Sequence, residues 1–571
     1  MSEQNEFQQQ DQLNQQNTAD RQAAPMAKAA GKEAPTDVTG SFKVSDQSIW
    51  DSAPQPVAVG FTSAALAPTQ SPKPETEETK RMKENFGFFG PVTFLYAVFY
   101  AFCMYRNGSG VTFPFFVAGS LLFLYFSLSK LGTTLKRGSG FYMAAIMLLG
   151  ISTFCTDDGR LVFFNKLGIF LLMMSLLLKQ FFDTSGWKLG KFLAGICQLV
   201  FGSFGELGQP FSDLTRHQKS KKRENSGKIL YFLSGLAIGV PLLLVVMYLL
   251  ASADAVFRQM TGKIPENIRL DNTLNVLLRI AFIFFASYGL TSYLCKRRIV
   301  ETVPDRKNGE PVLAITVTGL LTMLYLLFSG IQIGGLFLGK LRLPEGYTYA
   351  MYAREGFFQL LAVSFINLVI VLVCISFFKD SKVLKTILTV MSLCTFVMIA
   401  SSAMRMTIYI SFYYLTFLRI LVLWTLGVLA LLFAGVVGSI FREDFPLFRY
   451  SVAVVTVLYL VLSFVHPDYL IAKVNVENVP ASRQDYYYLI DLSADAAPVL
   501  VPYLEELGYD MEAFAAQDPV YYAHHTMEQD IAPGSVDGFG YYWMRKMRER
   551  TDDLGIRTFN VSRFLALQSF Q

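Results

Sequence analysis

The sequence predicts an all-α integral membrane protein with about 11 transmembrane helices, a disordered N-terminal tail and a small, mostly helical soluble domain at the C-terminus. Three observations support this prediction. Of the 571 residues, 52% are hydrophobic and only 17% are charged, and the mean hydropathy is +0.37. A soluble globular protein has about a quarter of its residues charged. The hydrophobic residues also fall into long runs, and the loops between these runs alternate in charge.

Residues 1–85 form the first domain, a Gln-rich tail that we expect to be disordered and cytoplasmic. Eight Gln fall within the first 22 positions, and Ala, Pro, Ser, Thr and Lys are frequent in the rest. This composition buries too little apolar surface to offset the entropy of folding. The first apolar run begins near Phe86, too late for a cleaved signal peptide, so we expect the tail to remain attached.

Residues 86–465 form the second domain, which we predict to cross the membrane repeatedly. Most of its apolar runs have the roughly 17 to 25 residues that a helix needs to cross a hydrocarbon core of about 30 Å. The third and fourth runs are short enough to form a re-entrant pair instead. The runs lie at about 88–104, 111–129, 141–156, 161–178, 229–251, 273–295, 312–338, 356–378, 384–404, 415–440 and 447–465.

The loop charges predict the orientation of the chain. Asp157, Asp158 and Asp254 lie in loops that alternate with the basic ones. Because Lys and Arg of the loops stay on the cytoplasmic side of a membrane, the tail is predicted to be cytoplasmic and the C-terminus extracytoplasmic. The basic loop residues are Lys130, Lys136, Arg137, the cluster in 216–228, Lys296, Arg297, Arg298, Lys379, Lys382 and Lys385.

Residues 184–228 form a cytoplasmic segment between the fourth and fifth runs. Its first part, 184–207, mixes large apolar residues with Lys and Gly, which predicts an amphipathic helix on the membrane surface; a buried loop helix is the alternative. Anionic lipid headgroups are the expected partner of the basic part, whereas nucleic acid is not expected because no aromatic residues interleave the charges. The basic residues assigned to this lipid surface are Arg216, Lys219, Lys221, Lys222 and Arg223.

Residues 466–571 form the third domain, which is acidic and predicted to lie outside the cytoplasm. They contain 16 Asp and Glu against 8 Lys and Arg. Short helical patterns alternate with Gly508 and with the Pro533-Gly534 pair, which predicts a small helical fold.

No enzyme signature is present in the sequence. We find no phosphate-binding loop, no dinucleotide fingerprint, no HExxH zinc motif and no GxSxG nucleophile elbow. The six cysteines have no CxxC spacing. We therefore predict no catalytic residue, cofactor or metal. An enzyme that uses Asp468, Asp485, Asp491 or Asp495 as acid and base remains an alternative to the two main hypotheses given below.

Charged residues near the outer ends of the spans are the candidate ligand site. An ionisable side chain close to the hydrocarbon core needs a compensating interaction. Two interpretations remain open: pairing within the protein, including with the acidic domain, or a vestibule that binds an anionic lipid or another envelope component. The candidates are Asp254, Arg279, Arg354, Glu355, Arg405 and Arg419, with Tyr409 beside them.

These observations lead to two hypotheses of function. The first is a membrane protein that binds an envelope component or partner at the outer Arg-rich vestibule and reports it to the cytoplasmic tail. The second is a transporter of a small anion or a lipid-linked intermediate. Inverted repeats or two matching interrupted spans would favour the transport hypothesis, and neither is evident in the sequence.

Several of these residues lie within blocks that resemble a known family. The blocks are 249–257 (LLASADAVF), 352–360 (YAREGFFQL), 405–409 (RMTIY), 414–419 (YLTFLR), 466–472 (HPDYLIA), 485–489 (DYYYL) and 492–498 (LSADAAP).

Over about residues 86–571, the chain resembles the bacterial polytopic membrane proteins catalogued as domain of unknown function forty-one seventy-three. The resemblance implies an integral bacterial membrane protein, and it supplies no substrate, cofactor or catalytic residue. It adds Asp468, Asp485 and Asp495 to the candidate ligand-binding residues. It also leads us to expect Gly at the position that Tyr414 occupies.

Overall fold

A computed structural model describes the chain at residues 75–184, 186–220, 270–301, 307–337, 356–442, 444–511, 534–552 and 554–570, and at positions 246 and 250. The chain divides into two units, Met1–Lys73 and Pro74–Gln571, and all that follows concerns the second. Within the described residues, α-helices account for nearly all regular structure, and no strand is present beyond one isolated bridge.

The first half of the membrane domain is a bundle of apolar helices around one core. Phe89, Leu178 and Tyr288 are fully buried in this core, far apart in sequence but packed in one cluster. We call this part the first half-bundle. Its described helices are α1 (Glu77–Glu84), α2 (Phe86–Met104), α3 (Thr112–Leu131), α4 (Ser139–Cys155), α5 (Gly159–Phe181), α6 (Leu189–Phe204), α7 (Gln209–Ser220) and α8 (Leu270–Cys295).

The second half-bundle has its own core, in which Val371, Met391 and Phe433 are fully buried. A π-helical turn, Ile333–Phe337, follows its first helix. Its described helices are α9 (Pro311–Gln332), α10 (Phe357–Phe377), α11 (Lys382–Tyr413), α12 (Phe417–Phe441) and α13 (Leu447–Phe464).

Helix α13 joins the two half-bundles through polar contacts inside the bundle. The Ser463 hydroxyl lies 2.5 Å from the Ser152 hydroxyl of α4, and it donates to the Asn165 side-chain oxygen of α5 at 2.8 Å. On the other side, the Trp424 indole of α12 donates to the carbonyl of Leu458 at 2.9 Å. Small hydroxyls and amides thus hold helices together where apolar packing alone gains little from leaving lipid.

Nine of the described helices are long and apolar enough to cross a membrane: α2, α3, α5 and α8 to α13. Helix α4, with 17 residues, is slightly shorter. Ten of the predicted runs therefore correspond to described helices, while the run at 229–251 lies outside the described residues except at 246 and 250. Large side chains such as Phe94 (55% exposed) and Met323 (72% exposed) cover the outer surface, as contact with lipid requires. The predicted all-α membrane fold is confirmed.

One end of the bundle gathers the positively charged loops. The Thr76 hydroxyl donates to the carbonyl of Cys295 at the end of α8, and Arg81 donates to the carbonyl of Leu131 at the end of α3. Likewise, the loops before α9 and after α10 meet in a bridge between Gly309 and Phe378. We call this the basic end; its loop cations include Lys130, Lys136, Arg137, Lys296, Arg297, Arg298, Lys379 and Lys382.

Helix α6 runs along the basic end rather than through the bundle. At its start, the Trp187 indole donates to the carbonyl of Glu301, and just beyond its other end Glu206 pairs with Lys296. The helix buries Leu199 against the protein and leaves Phe201 72% exposed. It is therefore an amphipathic helix at the level of the loops.

The described residues of 466–570 pack on the opposite end, which we call the cap end, and we call these residues the cap. Trp543, Phe539 and Leu500 lie in the core of the cap. Side-chain caps start several of its helices: Asp485, Ser535 and Asn560 each accept a hydrogen bond from a backbone N–H two or three residues into the following helix. The helices are α14 (Pro467–Asn478), α15 (Tyr486–Asp491), α16 (Ala497–Glu506), α17 (Val536–Thr551) and α18 (Val561–Ser569).

The turn between α11 and α12 contacts the cap directly. The Asn475 side chain accepts from the N–H of Leu415 at 2.9 Å and donates to its carbonyl at 3.0 Å. The Tyr488 hydroxyl accepts from the N–H of Phe417 at 2.8 Å. Between these contacts and α11, Tyr414 has φ of 64° and ψ of −172°, a region essentially restricted to glycine. The cap therefore holds a strained turn, at the residue where the resemblance led us to expect Gly.

Replacing Tyr414 by Gly is expected to stabilise the protein. Relief of backbone strain is worth about 1–3 kcal/mol, from which about 1 kcal/mol is lost to the freer unfolded chain. Unfolding of the purified protein in detergent should therefore shift upward. Tyr413→Gly, one residue earlier in the last turn of α11, is the control and is expected to destabilise by up to about 1 kcal/mol. A loss of stability in Tyr414→Gly would contradict this account.

Candidate functional site

The loop between α4 and α5 places acidic side chains beneath the cap. Thr156, Asp157 and Asp158 lie there, and each is at most 4% exposed. Helix α4 ends at Cys155 and α5 begins at Gly159, so a three-residue turn carries both carboxylates. Asp158 is the N-cap of α5, since its side chain accepts from the N–H of Arg160. A buried charge is costly unless it is paired and hydrogen-bonded, so this loop depends on partners in the cap.

Asp495 of the cap is the centre of one set of these contacts. Its carboxylate accepts from the Thr156 hydroxyl at 2.5 Å and from the N–H of Asp157 at 2.7 Å. It also accepts from the Ser562 hydroxyl of α18, and His466 Nδ1 lies 3.0 Å from it. Asp495 therefore links the end of the last membrane helix, the first half-bundle and the last helix of the cap.

Asp157 reaches in the opposite direction, from the bundle into the cap. Its carboxylate pairs with Arg550 of α17 and with Arg563 of α18, the latter at 2.7 Å. The Asp157 side chain is 1% exposed, whereas the two arginines are 34% and 25% exposed. Beside it, Asn560 donates to the carbonyls of Ser109 and Thr156, both at 3.0 Å.

Arg160 connects the two remaining carboxylates of the junction, Asp158 and Asp468. Its guanidinium forms a fork on Asp158, at 2.9 and 3.1 Å, and a further contact of 2.5 Å to Asp468. Asp468 also accepts from the N–H of Ser493 at 2.9 Å. On its face, the same guanidinium lies 4.1 Å from the ring centre of Phe417, the first residue of α12. One side chain thus touches the first half-bundle, the cap and the second half-bundle.

With all four of its carboxylates ionised, this junction is balanced in charge when His466 is protonated. Four buried carboxylates, Asp157, Asp158, Asp468 and Asp495, face the guanidiniums of Arg160, Arg550 and Arg563. The imidazolium of His466 supplies the fourth positive charge. We call these eight residues the junction network.

Burial and hydrogen bonding shift the pKa values of three residues in this network. Burial raises the pKa of Asp495, but hydrogen bonds from His466, Ser562 and Thr156 outweigh it and hold the pKa below its usual value. The hydrogen bond to Asp495 raises the pKa of His466 against the effect of burial. Burial raises the pKa of Asp468, and repulsion from Asp158 raises it further against the attraction of Arg160. The network thus favours the charged forms of Asp495 and His466.

Arg405 lies in a separate polar group within the second half-bundle. It is 7% exposed, on the part of α11 that faces α9 and α10. Its guanidinium lies 3.5 Å from the Gln332 side-chain oxygen, which also accepts from the Ser401 hydroxyl at 2.7 Å. The Ser402 hydroxyl donates to the carbonyl of Phe357 at 3.1 Å. Arg405 is thus a charge inside the helix bundle, at the cap end.

Arg419 and Tyr409 lie close to this group. The Arg419 guanidinium donates to the carbonyls of Tyr413 and Tyr414 at the end of α11, and it lies 4.6 Å from the ring centre of Tyr409. Tyr409 is four residues after Arg405, and its ring stacks on Phe357 at 6.1 Å. We call Arg405, Tyr409 and Arg419 the arginine cluster.

The structure separates the other predicted candidates. Arg279 is exposed on α8, which packs on helices of the first half-bundle and has no extensive contact with α9 to α12. Asp485 caps α15 through the N–H of Tyr488, and Asp491 is exposed. Arg216 is exposed on α7. The structure does not describe Asp254, Arg354, Glu355, Lys221, Lys222, Arg223 or the side chain of Lys219.

Sequence reasoning assigned no functional role to most of the junction network. Asp157 and Asp158 entered only as loop charges, and His466 only as part of a family block. The available signal was an Asp-Asp pair in a four-residue gap between apolar runs, where a buried loop requires cationic partners. The partners, Arg550 and Arg563, lie about 400 residues away and cannot be identified by spacing.

In the part of the chain that the structure describes, no group of three or more His, Cys, Asp or Glu is arranged so that it could hold a metal ion. The carboxylates of the junction network are instead bound to guanidiniums, hydroxyls and backbone N–H groups. Such an arrangement can fix the cap on the bundle and can respond to pH through His466.

A family model described as "Domain of unknown function (DUF4153)" matches residues 143–503. The chain belongs to this family. The matched region runs from α4 through the spans and into α16 of the cap, so it contains the arginine cluster and most of the junction network. The predicted membership of a family without an assigned function is confirmed, although the family number is 4153 where the resemblance gave forty-one seventy-three. No curated protein and no solved structure matches the chain.

Replacing Asp157 by Asn is expected to loosen the cap. The change leaves Arg550 and Arg563 without their shared carboxylate, and removing one partner of a buried ion pair costs about 2 kcal/mol or more when the cations are partly exposed. Amide hydrogen exchange in 554–570 should then accelerate more than exchange in the bundle. Asp491→Asn, which removes an exposed carboxylate of the cap, is the control and should leave exchange unchanged. Equal exchange in the two variants would mean that the junction network does not hold the cap.

Attachment of the cap is expected to weaken as the pH rises above about 6.5. The pKa of His466 is raised in the folded protein, so its stabilising effect is complete below the ordinary value of 6.5 and is lost as the pH passes through the raised pKa. The raised pKa of Asp468 acts in the same direction. Asp495, with its lowered pKa, loses its effect only in strong acid.

The measurement is limited proteolysis of the cap between pH 5.5 and pH 8.5, the approximate range over which a histidine changes its charge. His466→Gln should flatten the pH dependence. His217→Gln, on α7 at the basic end, is the control and should preserve it. A dependence that survives in His466→Gln would assign the titration to another group.

Proposed function

We propose that this protein is a multi-pass membrane protein that binds an anionic envelope component at the arginine cluster and reports its presence through the cap. The observation that carries the proposal is the turn between α11 and α12. Arg419 holds the carbonyl side of this turn, while Asn475 and Tyr488 of the cap hold the N–H groups of Leu415 and Phe417. A ligand that draws Arg419 away would therefore disturb contacts with the cap.

The chemistry of the cluster favours an anion. Among the described residues, the partners of Arg419 are two carbonyls and the ring of Tyr409, so no carboxylate there neutralises its charge. A guanidinium offers paired donors to a phosphate, and a tyrosine supplies an additional hydroxyl. We infer that a phosphate-bearing group is the preferred ligand.

The junction network gives the ligand site a route to the rest of the molecule. Tyr488 of the cap lies against the turn, and Asp468 of the cap shares Arg160 with Asp158 of the first half-bundle. The cap thus bridges both half-bundles, and a change in its position alters both. This supports a role in reporting more than a role in storage of a ligand.

The proposed orientation places the cap outside the cytoplasm in a bacterial inner membrane. The cations of the loops concentrate at the basic end, and the positive-inside rule assigns that end to the cytoplasm. The N-terminal tail, which precedes α1 at the basic end, is then cytoplasmic. Binding at the arginine cluster would report an extracytoplasmic component to the cytoplasmic side.

Transport and catalysis receive less support. A transporter needs a continuous polar path, but below Arg405 the core facing α9 and α10 changes from Thr395 and Ser392 to Leu388 and Leu384. An enzyme that uses Asp468 and Asp495 needs these carboxylates to face a substrate, whereas both are bound in the junction network.

The experiment measures binding of a polyprenyl phosphate to the full-length protein in phosphatidylcholine nanodiscs, with the neutral polyprenol as the matched ligand. We expect saturable binding of the phosphate form, and binding should change amide exchange at Leu415 and Phe417. Arg419→Gln should weaken binding at least about tenfold, the loss of a charged hydrogen bond to a phosphate. Arg483→Gln, an exposed arginine on the cap, is the matched control and should bind normally.

Equal binding of phosphate and neutral polyprenol, or equal losses in Arg419→Gln and Arg483→Gln, would refute the ligand site. Binding without any change at Leu415 and Phe417 would refute the reporting role and leave a simple binding site. The orientation is tested by reporters fused after Gln571 that are active on only one side of the membrane. A cytoplasmic C-terminus would rule out an extracytoplasmic ligand.

A further inference from the structure

A cavity of about 520 Å³ opens at the basic end, on the far side of the molecule from the arginine cluster. It lies between the start of α4, the end of α5, the start of α6 and the start of α13. Three cationic side chains line it: Arg137 before α4, Lys179 in the last turn of α5 and Arg449 in the first turn of α13. Neither the junction network nor the proposed function involves these residues.

The three cations differ from the others at this end in their lack of described carboxylate partners. Lys296 pairs with Glu206, and Arg297 pairs with Glu78. In the described part of the chain, by contrast, Arg137, Lys179 and Arg449 form no ion pair, and the Lys179 ammonium lies 5.3 Å from the ring centre of Tyr142. Three like charges that converge on one cavity repel each other, so an anion placed there would stabilise them.

Another cation increases the positive potential at the mouth of the cavity. Lys136, the neighbour of Arg137, donates from its side chain to the carbonyl of Phe182 at 2.8 Å. This contact fixes a fourth cation close to the end of α5. Burial lowers the pKa of Lys136 and the charge of Arg297 lowers it further, whereas Asp183 and Glu301 act in the opposite direction.

The remaining walls of the cavity are apolar. Phe192 of α6 stacks on Phe448 of α13, with ring centres 4.0 Å apart, and Val452 continues this wall one turn along α13. From Phe141 (37% exposed), which lines the cavity, an apolar surface continues along α4 to Leu148 (42% exposed). A molecule with a charged head and long apolar chains matches both surfaces.

We propose that this cavity binds the phosphate headgroup of an anionic phospholipid, with the acyl chains lying along α4. The volume is within the range of small-molecule sites. Basic pockets between membrane helices at the cytoplasmic face suit such headgroups, because the phosphate meets several cations while the chains remain in the bilayer. Helix α6 closes one side of the site, which gives this amphipathic helix a role beyond contact with the membrane surface.

The experiment uses the full-length protein in nanodiscs that contain phosphatidylglycerol diluted in phosphatidylcholine. A spin-labelled phosphatidylglycerol reports the fraction of motionally restricted lipid at the protein surface. We expect a saturable, restricted component for phosphatidylglycerol that exceeds that for spin-labelled phosphatidylcholine. The double variant Lys179→Gln with Arg449→Gln should weaken this preference at least about tenfold, as expected for two cations close to an anionic headgroup.

The matched control is Lys382→Gln with Arg442→Gln. These residues are exposed at the same end, outside the cavity, and the pair removes the same charges. We expect the control to retain the preference of the wild type. The charge-preserving variant Lys179→Arg with Arg449→Lys should also retain it, which separates loss of charge from a failure to fold.

Three outcomes would overturn the proposal. The first outcome is that the wild type shows no preference for phosphatidylglycerol. The second is that the cavity variant and the control variant lose the preference equally, which would mean general attraction to the basic end. The third outcome is that glycerol phosphate in solution displaces the labelled phosphatidylglycerol from the wild-type protein. That result would assign the cavity to a soluble phosphate compound instead of a lipid.

Discussion

The architecture depends on the burial of two carboxylates in the turn between α4 and α5. Both are too costly to bury alone. The arginines that pair with Asp157 lie in the cap, whereas Asp158 pairs with Arg160 of α5, which also reaches Asp468 of the cap. The bundle without its cap would leave these charges exposed at the centre of its end, and the cap without the bundle would leave Arg550 and Arg563 unpaired. The two parts are therefore interdependent, although each has its own apolar core.

The cap is attached both by apolar contact and by polar groups. Leu415 and Phe417 of the second half-bundle pack on the apolar core of the cap. Asn475 of the cap and Arg160 of α5 add amide contacts and ion pairs across the junction. They also specify one orientation, since each carboxylate has particular donors.

The sequence predicted the helical membrane fold well because apolar runs have a length set by the bilayer. It also placed Arg405, Tyr409 and Arg419 in one group, because they lie near the ends of consecutive spans. It grouped Arg279 with them, whereas in the structure Arg279 lies on α8, which packs on helices of the first half-bundle. It did not identify the junction network. Position along a span gives depth, but which helices are neighbours depends on packing, as the contact between α13 and Asn165 illustrates. Similarly, nothing local to Asp157 indicates Arg563.

Helix α11 gives the molecule a rigid lever. It has 32 residues, contains neither Gly nor Pro, and at 1.5 Å per residue is about 48 Å long, well beyond the hydrocarbon core. It begins at the basic end with Lys382 and ends at the strained Tyr414 turn. With no hinge along its length, a tilt of about 5° around one end displaces the other by about 4 Å. Displacements of this size exceed the tolerance of a hydrogen bond, so the turn and the opposite face of the membrane are mechanically connected.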